Sequence, residues 1–168
     1  MPEALNIAVI TVSDTRTEET DKSGKVLIDA LTAAGHTLAA RTIVRDDVYQ
    51  LRAVVSACIA DPGIEVILTT GGTGFTSRDN TFRALSPLLE VPIDGFGELF
   101  RQLSFKEIGS STVQSRAFGG LTNKTVIFCL PGSPGACRTG WENIIAEQLN
   151  SDHHPCHFVD KVRPEAAS

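Results

Sequence analysis

Residues 65–81 read EVILTTGGTGFTSRDNT, and this stretch decides the fold. An apolar run, "IEVILTT", stops abruptly at Gly71, Gly72 and Gly74, interleaved with threonines, and a charged "SRD" follows. The pattern predicts a buried strand feeding a loop of bare backbone that approaches a ligand closely. Glycines expose backbone N–H groups, threonines add hydroxyl donors, and a following helix N-terminus favours negative charge, so the loop suits a phosphate.

The neighbouring segments repeat the theme. "LNIAVITVS" predicts a buried strand from Leu5 to Val12. A helix follows with Ser23 as its cap, apolar at Val26, Leu27, Ala30, Leu31 and Ala34, and closed by Gly35. "HTLAARTIV" is the second strand, "DDVYQLRAVVSACIAD" the second helix and "IEVILTT" the third strand. Beyond the glycine loop, Asn80 or Thr81 caps a short helix limited by Pro87. "GFGELFRQLSFKEIG" forms another helix, apolar at Leu99, Phe100, Leu103 and Phe105. Segments around "SRAFGG" and "KTVIFCL" pair through a turn at Thr122 to Lys124. A last helix starts with Ser133 as N-cap and Pro134 at its first position, with Gly140 allowing close packing and Trp141 in the core or at a subunit interface.

This alternation specifies a three-layer α/β/α fold with a mostly parallel sheet, in one domain spanning residues 1–168 whose segment 150–168 is an irregular tail. Open sheets of this class bind ligands at the carboxyl ends of their strands. Polar loops at Ser13, at Asp46 and Asp47, at Gly71 and at Pro131 therefore converge on one pocket.

Composition removes other classes. At 168 residues with 42% hydrophobic content and a mean hydropathy of +0.03, the chain suits an ordinary globular domain, with no apolar run long enough to span a membrane. "MPEALNIAVITVSD" lacks a basic leader, so the cytoplasm is expected. Cys58, Cys129, Cys137 and Cys156 form no C-x-x-C pair and fit a reducing compartment. A net charge of -5 argues against nucleic acid, so an anionic ligand needs local donors.

The loop fails both common nucleotide fingerprints. No lysine follows Gly74 before Lys106, which excludes a Walker A loop. Gly72-Thr73-Gly74 is followed by Ser77 where the dinucleotide fingerprint needs glycine or alanine, which leaves an NAD-dependent oxidoreductase without its motif. Asp79 beside a phosphate would repel it unless a cation such as Mg²⁺ intervenes, and Asp46 and Asp47 end a different strand. Two separated carboxylates around a nucleotide suggest metal-assisted phosphoryl or nucleotidyl transfer, while each alone is also a sound helix cap. Ser13 and Ser133 offer hydroxyls, and Arg116 offers positive charge or is merely a surface cation. "HHPCH" gathers His153, His154, Cys156 and His157, but crowding beside a proline argues against a closed tetrahedral site.

The pieces "TVSDT", "SG" at Ser23-Gly24, "IVRDD", "LTTGGTGFTSRDNT", "GFGELFRQLSFKEIG", "SR" at Ser115-Arg116 and "LPGSPGACRTGWENII" run in one order from residue 6 to 150. Together they resemble the molybdenum cofactor biosynthesis proteins of the MoaB/MogA type, and the long fourth helix and the "PCHF" tail resemble the MoaB branch. The resemblance implies a three-layer fold and a homotrimer or homohexamer. It also implies adenylylation of molybdopterin by ATP with Mg²⁺, as in MogA-like members, or molybdopterin binding without that activity. By position it implies Asp46 and Asp79 as catalytic and Mg²⁺-organising residues. It further implies ligand contacts from Ser13, Asp14, Gly71, Gly72, Thr73, Gly74, Thr81, Ser115, Arg116, Pro131, Gly132 and Ser133. The MogA pattern commonly reads "PDE" where this chain has Arg45-Asp46-Asp47, so the acid is kept and the stiffening proline is not.

Overall fold

The computed structural model describes residues 2–164. Its sheet has six strands in the order β2-β1-β3-β6-β5-β4. β1 (Asn6–Val12) pairs in parallel with β2 (Thr37–Val44) and β3 (Val66–Thr70), and β3 pairs in parallel with β6 (Thr125–Leu130). β5 (Phe118–Thr122) runs antiparallel to β6 through the expected turn, where Asn123 and Lys124 take positive φ. A strand absent from the sequence reading, β4 (Val91–Pro92), closes the far edge against β5. Two residues ending in proline carry no strand periodicity, and a proline is tolerated only on such an edge.

Both faces of the sheet are covered, which is why its strands read as continuous apolar runs. Register sets Val9, Leu68 and Phe128 in one row facing α1 (Lys22–Ala33), α4 (Asp94–Ile108) and α5 (Pro134–Gly140). Ala8, Ile67 and Ile127 form the neighbouring row on the opposite face, toward α2 (Val48–Ala60) and α3 (Thr81–Leu85). Removing side chains of this size from water contributes about 1.5–3 kcal/mol each.

Helix starts follow the expected chemistry with two corrections, one at α1 and one at α3, where Asn80 holds the cap position without a side-chain cap bond because its amide donates to Asp46 O. Asp47 caps α2 by accepting from Tyr49 N and Gln50 N, and Ser133 caps α5 by accepting from Ala136 N with Pro134 at the first turn. α1 is capped by Asp21, which accepts from Gly24 N, and not by Ser23. Ser23 lies inside the first turn, and its hydroxyl donates to Gly132 O at 2.7 Å. α3 is short, and the chain tightens to a 3₁₀ turn over Ser86–Leu88, where Pro87 sits. A second 3₁₀ segment, Gly109–Gln114, follows α4.

The buried stripe of α4 is Phe96, Gly97, Phe100 and Ser104. The expected face is therefore shifted: Leu103 is only partly buried, and Leu99 and Phe105 are exposed at 41% and 59%. Phe96 packs 4.9 Å from Phe128, and a side chain at Gly97 would strike Ala117 O, so the helix seats on Phe96 and Phe100. α5 continues through a π turn at Trp141–Ile145 into α6 (Ala146–Gln148), with Trp141, Ile144 and Ile145 buried. At Gly140 an added Cβ would meet Leu130, so its lack of a side chain admits close packing.

The tail docks more than the sequence suggested. α7 (Val159–Val162) buries Val159 and Val162, Phe158 meets Phe128 edge-on with ring centroids 6.0 Å apart, and Arg163 bridges Glu65 and Glu3. Residues 165–168 of the tail expectation lie outside the described residues. No described helix is long and apolar enough to cross a membrane.

Candidate functional site

The four polar loops meet at the carboxyl edge of β1, β2, β3 and β6, as the parallel sheet requires. Backbone bonds lace them: Ser13 N donates to Val44 O at 2.9 Å, and Gly71 N donates to Leu130 O at 3.0 Å. The Thr70 hydroxyl donates to Pro131 O at 2.8 Å. Gly71 and Gly72 take φ of +102° and +67°, which turns the chain sharply out of β3. Thr81 then closes the loop on itself, its N–H donating to Gly72 O and its hydroxyl to Gly71 O.

Two clefts flank this loop and share Gly72, Asp79 and Gly132. The first, of about 380 Å³, is lined by Ser13, Arg16, Lys22, Asp46 and Gly71 among others. The second, of about 370 Å³, has Phe100 and Ile108 as apolar walls, with Thr73, Gly74, Ser115, Pro131 and Ser133 supplying polar groups. Asp79 stands on the wall between a polar cleft and a half-apolar one.

Asp46 and Asp79 are brought together, and their neighbours treat them differently. Asp46 is 7% exposed, and its Oδ1 accepts from Asn80 N at 2.9 Å. Burial pushes its pKa up, partly offset by its bonds with Asn80, while the charges of Asp79 and Asp14 add to the rise. For Asp79 burial is again the largest single influence and raises the pKa. The hydrogen bonds from the Thr76 hydroxyl, Thr76 N and Gly74 together outweigh it, so the net shift is downward. Asp79 is the firm anion, and Asp46 is the acid that responds to its neighbours.

Asp14, expected as a ligand contact, lines neither cleft; it accepts from Asp46 N at 3.2 Å and pairs with Arg78. In the metal-free protein, Asp14→Asn keeps an acceptor for Asp46 N while removing a negative neighbour and freeing Arg78. The pKa of Asp46 moves down in that variant, as read by carboxyl ¹³C titration; an unchanged or raised value contradicts this electrostatic account.

The remaining predicted residues divide. Ser13, Gly71, Gly72, Thr73, Gly74, Ser115, Pro131, Gly132 and Ser133 line one cleft or the other. The Ser13 and Ser133 hydroxyls also accept from backbone N–H groups, of Thr15 and Arg16 in one case and Ala136 in the other. Ser115 Oγ is buried without a protein partner. Two further expectations are corrected. Thr81 is fully buried behind the loop, its hydroxyl proton spent on Gly71 O, so it shapes the loop and does not face a ligand. Arg116 lines neither cleft, and its guanidinium donates to Thr73 O and Gly74 O.

Asn80 was missed by the sequence reading although it fixes Asp46 through two bonds, and so was Arg78 as the partner of Asp14. Both pairings cross between loops far apart in sequence, so no local spacing reveals them. Cys129 and Cys137 are buried, with thiols pushed by burial up to about 12 and about 11, which leaves them unreactive near neutral pH. In the tail, His153 lies 4.0 Å from Glu147 and His157 lies 4.0 Å from Asp160. Among the described residues no cluster of three or more His, Cys, Asp or Glu is arranged to hold a metal ion.

An open α/β sheet carrying a glycine loop and two carboxylates at its carboxyl edge defines a small-molecule-binding domain of the α/β class. Comparison with known proteins narrows the class. A probable molybdopterin-binding domain matches residues 8–151. Molybdenum cofactor biosynthesis protein B of Escherichia coli K12 is 53% identical over 152 residues, 90% of this chain and 89% of that protein. The protein of the same name from Bacillus subtilis is 42% identical over 165 residues, 98% of this chain and 94% of that one. A crystal structure of molybdenum cofactor biosynthesis protein B superposes with a TM-score of 0.86 at 46% identity, covering 89% of this chain and 93% of that one. The tungsten cofactor synthesizing protein MoaB from Pyrococcus furiosus superposes with a TM-score of 0.77 at 38% identity, covering 88% and 94%. The chain belongs to the molybdopterin-binding-domain family of molybdenum cofactor biosynthesis proteins.

Proposed function

We propose that this protein adenylylates molybdopterin, using ATP and Mg²⁺, with Asp46 and Asp79 as its catalytic carboxylates. The observation that carries this reading is the pair of clefts meeting at Asp79. The polar cleft, with Lys22 and Arg16 at its side and the first turn of α1 behind, suits the nucleotide phosphates. The second cleft, with Phe100 and Ile108 facing serine and backbone donors, suits a flat, polar-edged pterin.

The reaction is a displacement at phosphorus. A terminal phosphate oxygen of molybdopterin forms a bond to the α-phosphorus of ATP, the bond to the β-phosphate bridging oxygen breaks, and pyrophosphate leaves. The nucleophile is already ionised, so no general base is required, and no histidine lines either cleft. The work left to the protein is to hold two polyanions in line and to tolerate their charge. The residues fit a Mg²⁺ ion of the substrate-bridging kind, which uses one or two carboxylates plus phosphates and not an all-protein cage. Asp46 Oδ1 and Asp79 Oδ2 are occupied by loop bonds, to Asn80 N and to Thr76, which fix the two side chains in place. When bound, the ion would neutralise charge developing on the phosphates.

Radiolabelled ATP and molybdopterin test the reading directly: transfer of AMP to the pterin with release of pyrophosphate is expected. Binding of molybdopterin with no transfer would instead leave a non-catalytic pterin-binding protein in the same pathway. Self-association as a trimer or hexamer is proposed on the same resemblance, and Leu99, Phe105 and Val113 expose apolar surface on α4 and the turn after it that a second copy would cover. Sedimentation equilibrium is expected to return three or six times the chain mass, and a monomer at micromolar concentration contradicts it.

A further inference from the structure

One cation beside the glycine loop is left unused by the proposed chemistry. Arg116 stands just before β5, and its Nε donates to Thr73 O at 3.3 Å while Nη2 donates to Gly74 O. Its guanidinium carbon lies 4.5 Å from the ring centroid of Phe75 and 5.4 Å from that of Phe82. Phe82 in α3 packs edge-on against Phe118 in β5 at 5.0 Å. The side chain therefore ties the loop to both α3 and the antiparallel half of the sheet.

One of the two carbonyls it holds belongs to Gly74, which backs onto Asp79. A Cβ at Gly74 would stand 2.7 Å from Asp79 Oδ2, and a Gly74 backbone hydrogen bond helps keep Asp79 ionised. Arg116 lines neither candidate cleft; with Phe82 and Phe118 it lines an adjoining, mainly apolar cleft of about 660 Å³ that shares Ser115 with the second. A guanidinium is planar and presents its donors as a fork, so it takes two successive carbonyls while lying flat on an aromatic ring; an ammonium is a point donor and does neither as well.

We infer that Arg116 is a positioning residue: it clamps Thr73 and Gly74 from behind and through them fixes Asp79, without touching the nucleotide. The kinetic consequence rests on the adenylyl-transfer reading above, whereas the structural one does not. Two variants, Arg116→Ala and Arg116→Lys, are compared with wild type by amide hydrogen exchange and by steady-state kinetics. In both variants the amides from Thr73 to Asp79 exchange about tenfold faster or more, while those of β1 and β3 keep their protection and show the fold intact. Both lose kcat by about ten- to a hundredfold with KM for ATP little changed, because a displaced Asp79 spoils alignment and not encounter. Unchanged exchange in the loop overturns the clamp. So does a wild-type rate in Arg116→Lys combined with a loss in Arg116→Ala confined to KM for ATP, the pattern of a direct phosphate contact. If the wild-type protein transfers no AMP, the adenylyl-transfer reading falls and the exchange measurement alone decides the clamp.

Discussion

Asp79→Asn is expected to lower AMP transfer by about 10²- to 10⁴-fold while leaving the thermal midpoint close to that of the wild type. The size follows from losing an anionic partner of a catalytic cation, an interaction of several kcal/mol in the transition state, at about 1.4 kcal/mol per tenfold in rate. The intact fold follows from geometry. Asp79 Oδ2 accepts from Thr76 N at 3.0 Å and from the Thr76 hydroxyl at 2.7 Å, and an asparagine carbonyl oxygen in that place accepts both. The loop thus keeps both Thr76 bonds, while the Gly74 backbone bond to the carboxylate weakens with the charge, a small cost at a part-exposed loop. Circular dichroism and a melting curve check the fold, and labelled ATP checks the rate. Activity within threefold of wild type would remove Asp79 from the catalytic role. Asp46→Asn separates the two carboxylates further. Because burial opposes ionisation of Asp46, that substitution removes a charge the folded state accommodates at a cost, whereas hydrogen bonds and Arg116 favour the charge on Asp79. The two acids share a role in the proposed chemistry but stand on opposite sides of the stability ledger.

The layers of this fold were legible because the central parallel strands β1, β3 and β6 are buried on both faces and the covering helices on one. "LNIAVITV" and "EVILTT" are apolar throughout, while the segment around Leu27 and Leu31 is apolar at helical spacing. What escaped was set by tertiary contact. β4 is two residues long and owes its existence to the edge of β5. The caps of α1 were confused because "DKS" offers two good cap residues within three positions. The choice of Asp21 follows from bonds with Thr11 and Gly24 that only the folded chain supplies. Phe105 is one of the apolar positions of α4, but the stripe that starts at Phe96 leaves it facing outward at 59% exposure.

For the site, the convergence of four strand-end loops follows from parallel topology alone, which brings Ser13, Asp46, Gly71 and Pro131 to one edge. Side-chain direction does not follow from topology. Thr81 and Arg116 have the right chemistry at the right loops, yet one donates to Gly71 O from behind and the other grips two carbonyls on the far side. A donor-rich loop needs such internal partners, since its own carbonyls must be satisfied before its N–H groups can face a ligand. Residues that satisfy the loop and residues that satisfy the ligand are drawn from the same types, and composition cannot separate them.

Gly71 is the residue at which fold and site are least separable, and Gly71→Ala is expected to cost about 3 kcal/mol or more. Two effects add. Its φ of +102° lies where an L side chain is strained, and a Cβ built there would stand 2.3 Å from Val12 O. That oxygen belongs to the backbone at the end of β1, so no rotamer change relieves the contact. The only relief is to move β1 away from β3 at the edge where Thr11 pairs with Thr70, or to unwind the turn. Either movement loosens the Gly71 N to Leu130 O and Thr81 Oγ1 to Gly71 O bonds, which hold the loop against β6 and α3. At about 2–4 °C per kcal/mol for a chain of this size, the melting temperature should fall by about 6–12 °C. Gly132→Ala is the matched control: its Cβ would stand 3.3 Å from Gly71 Cα, a tight contact with no positive φ, so a much smaller loss is expected. A fall of less than about 2 °C in Gly71→Ala would mean that the sharp exit from β3 is not what holds the loop in place.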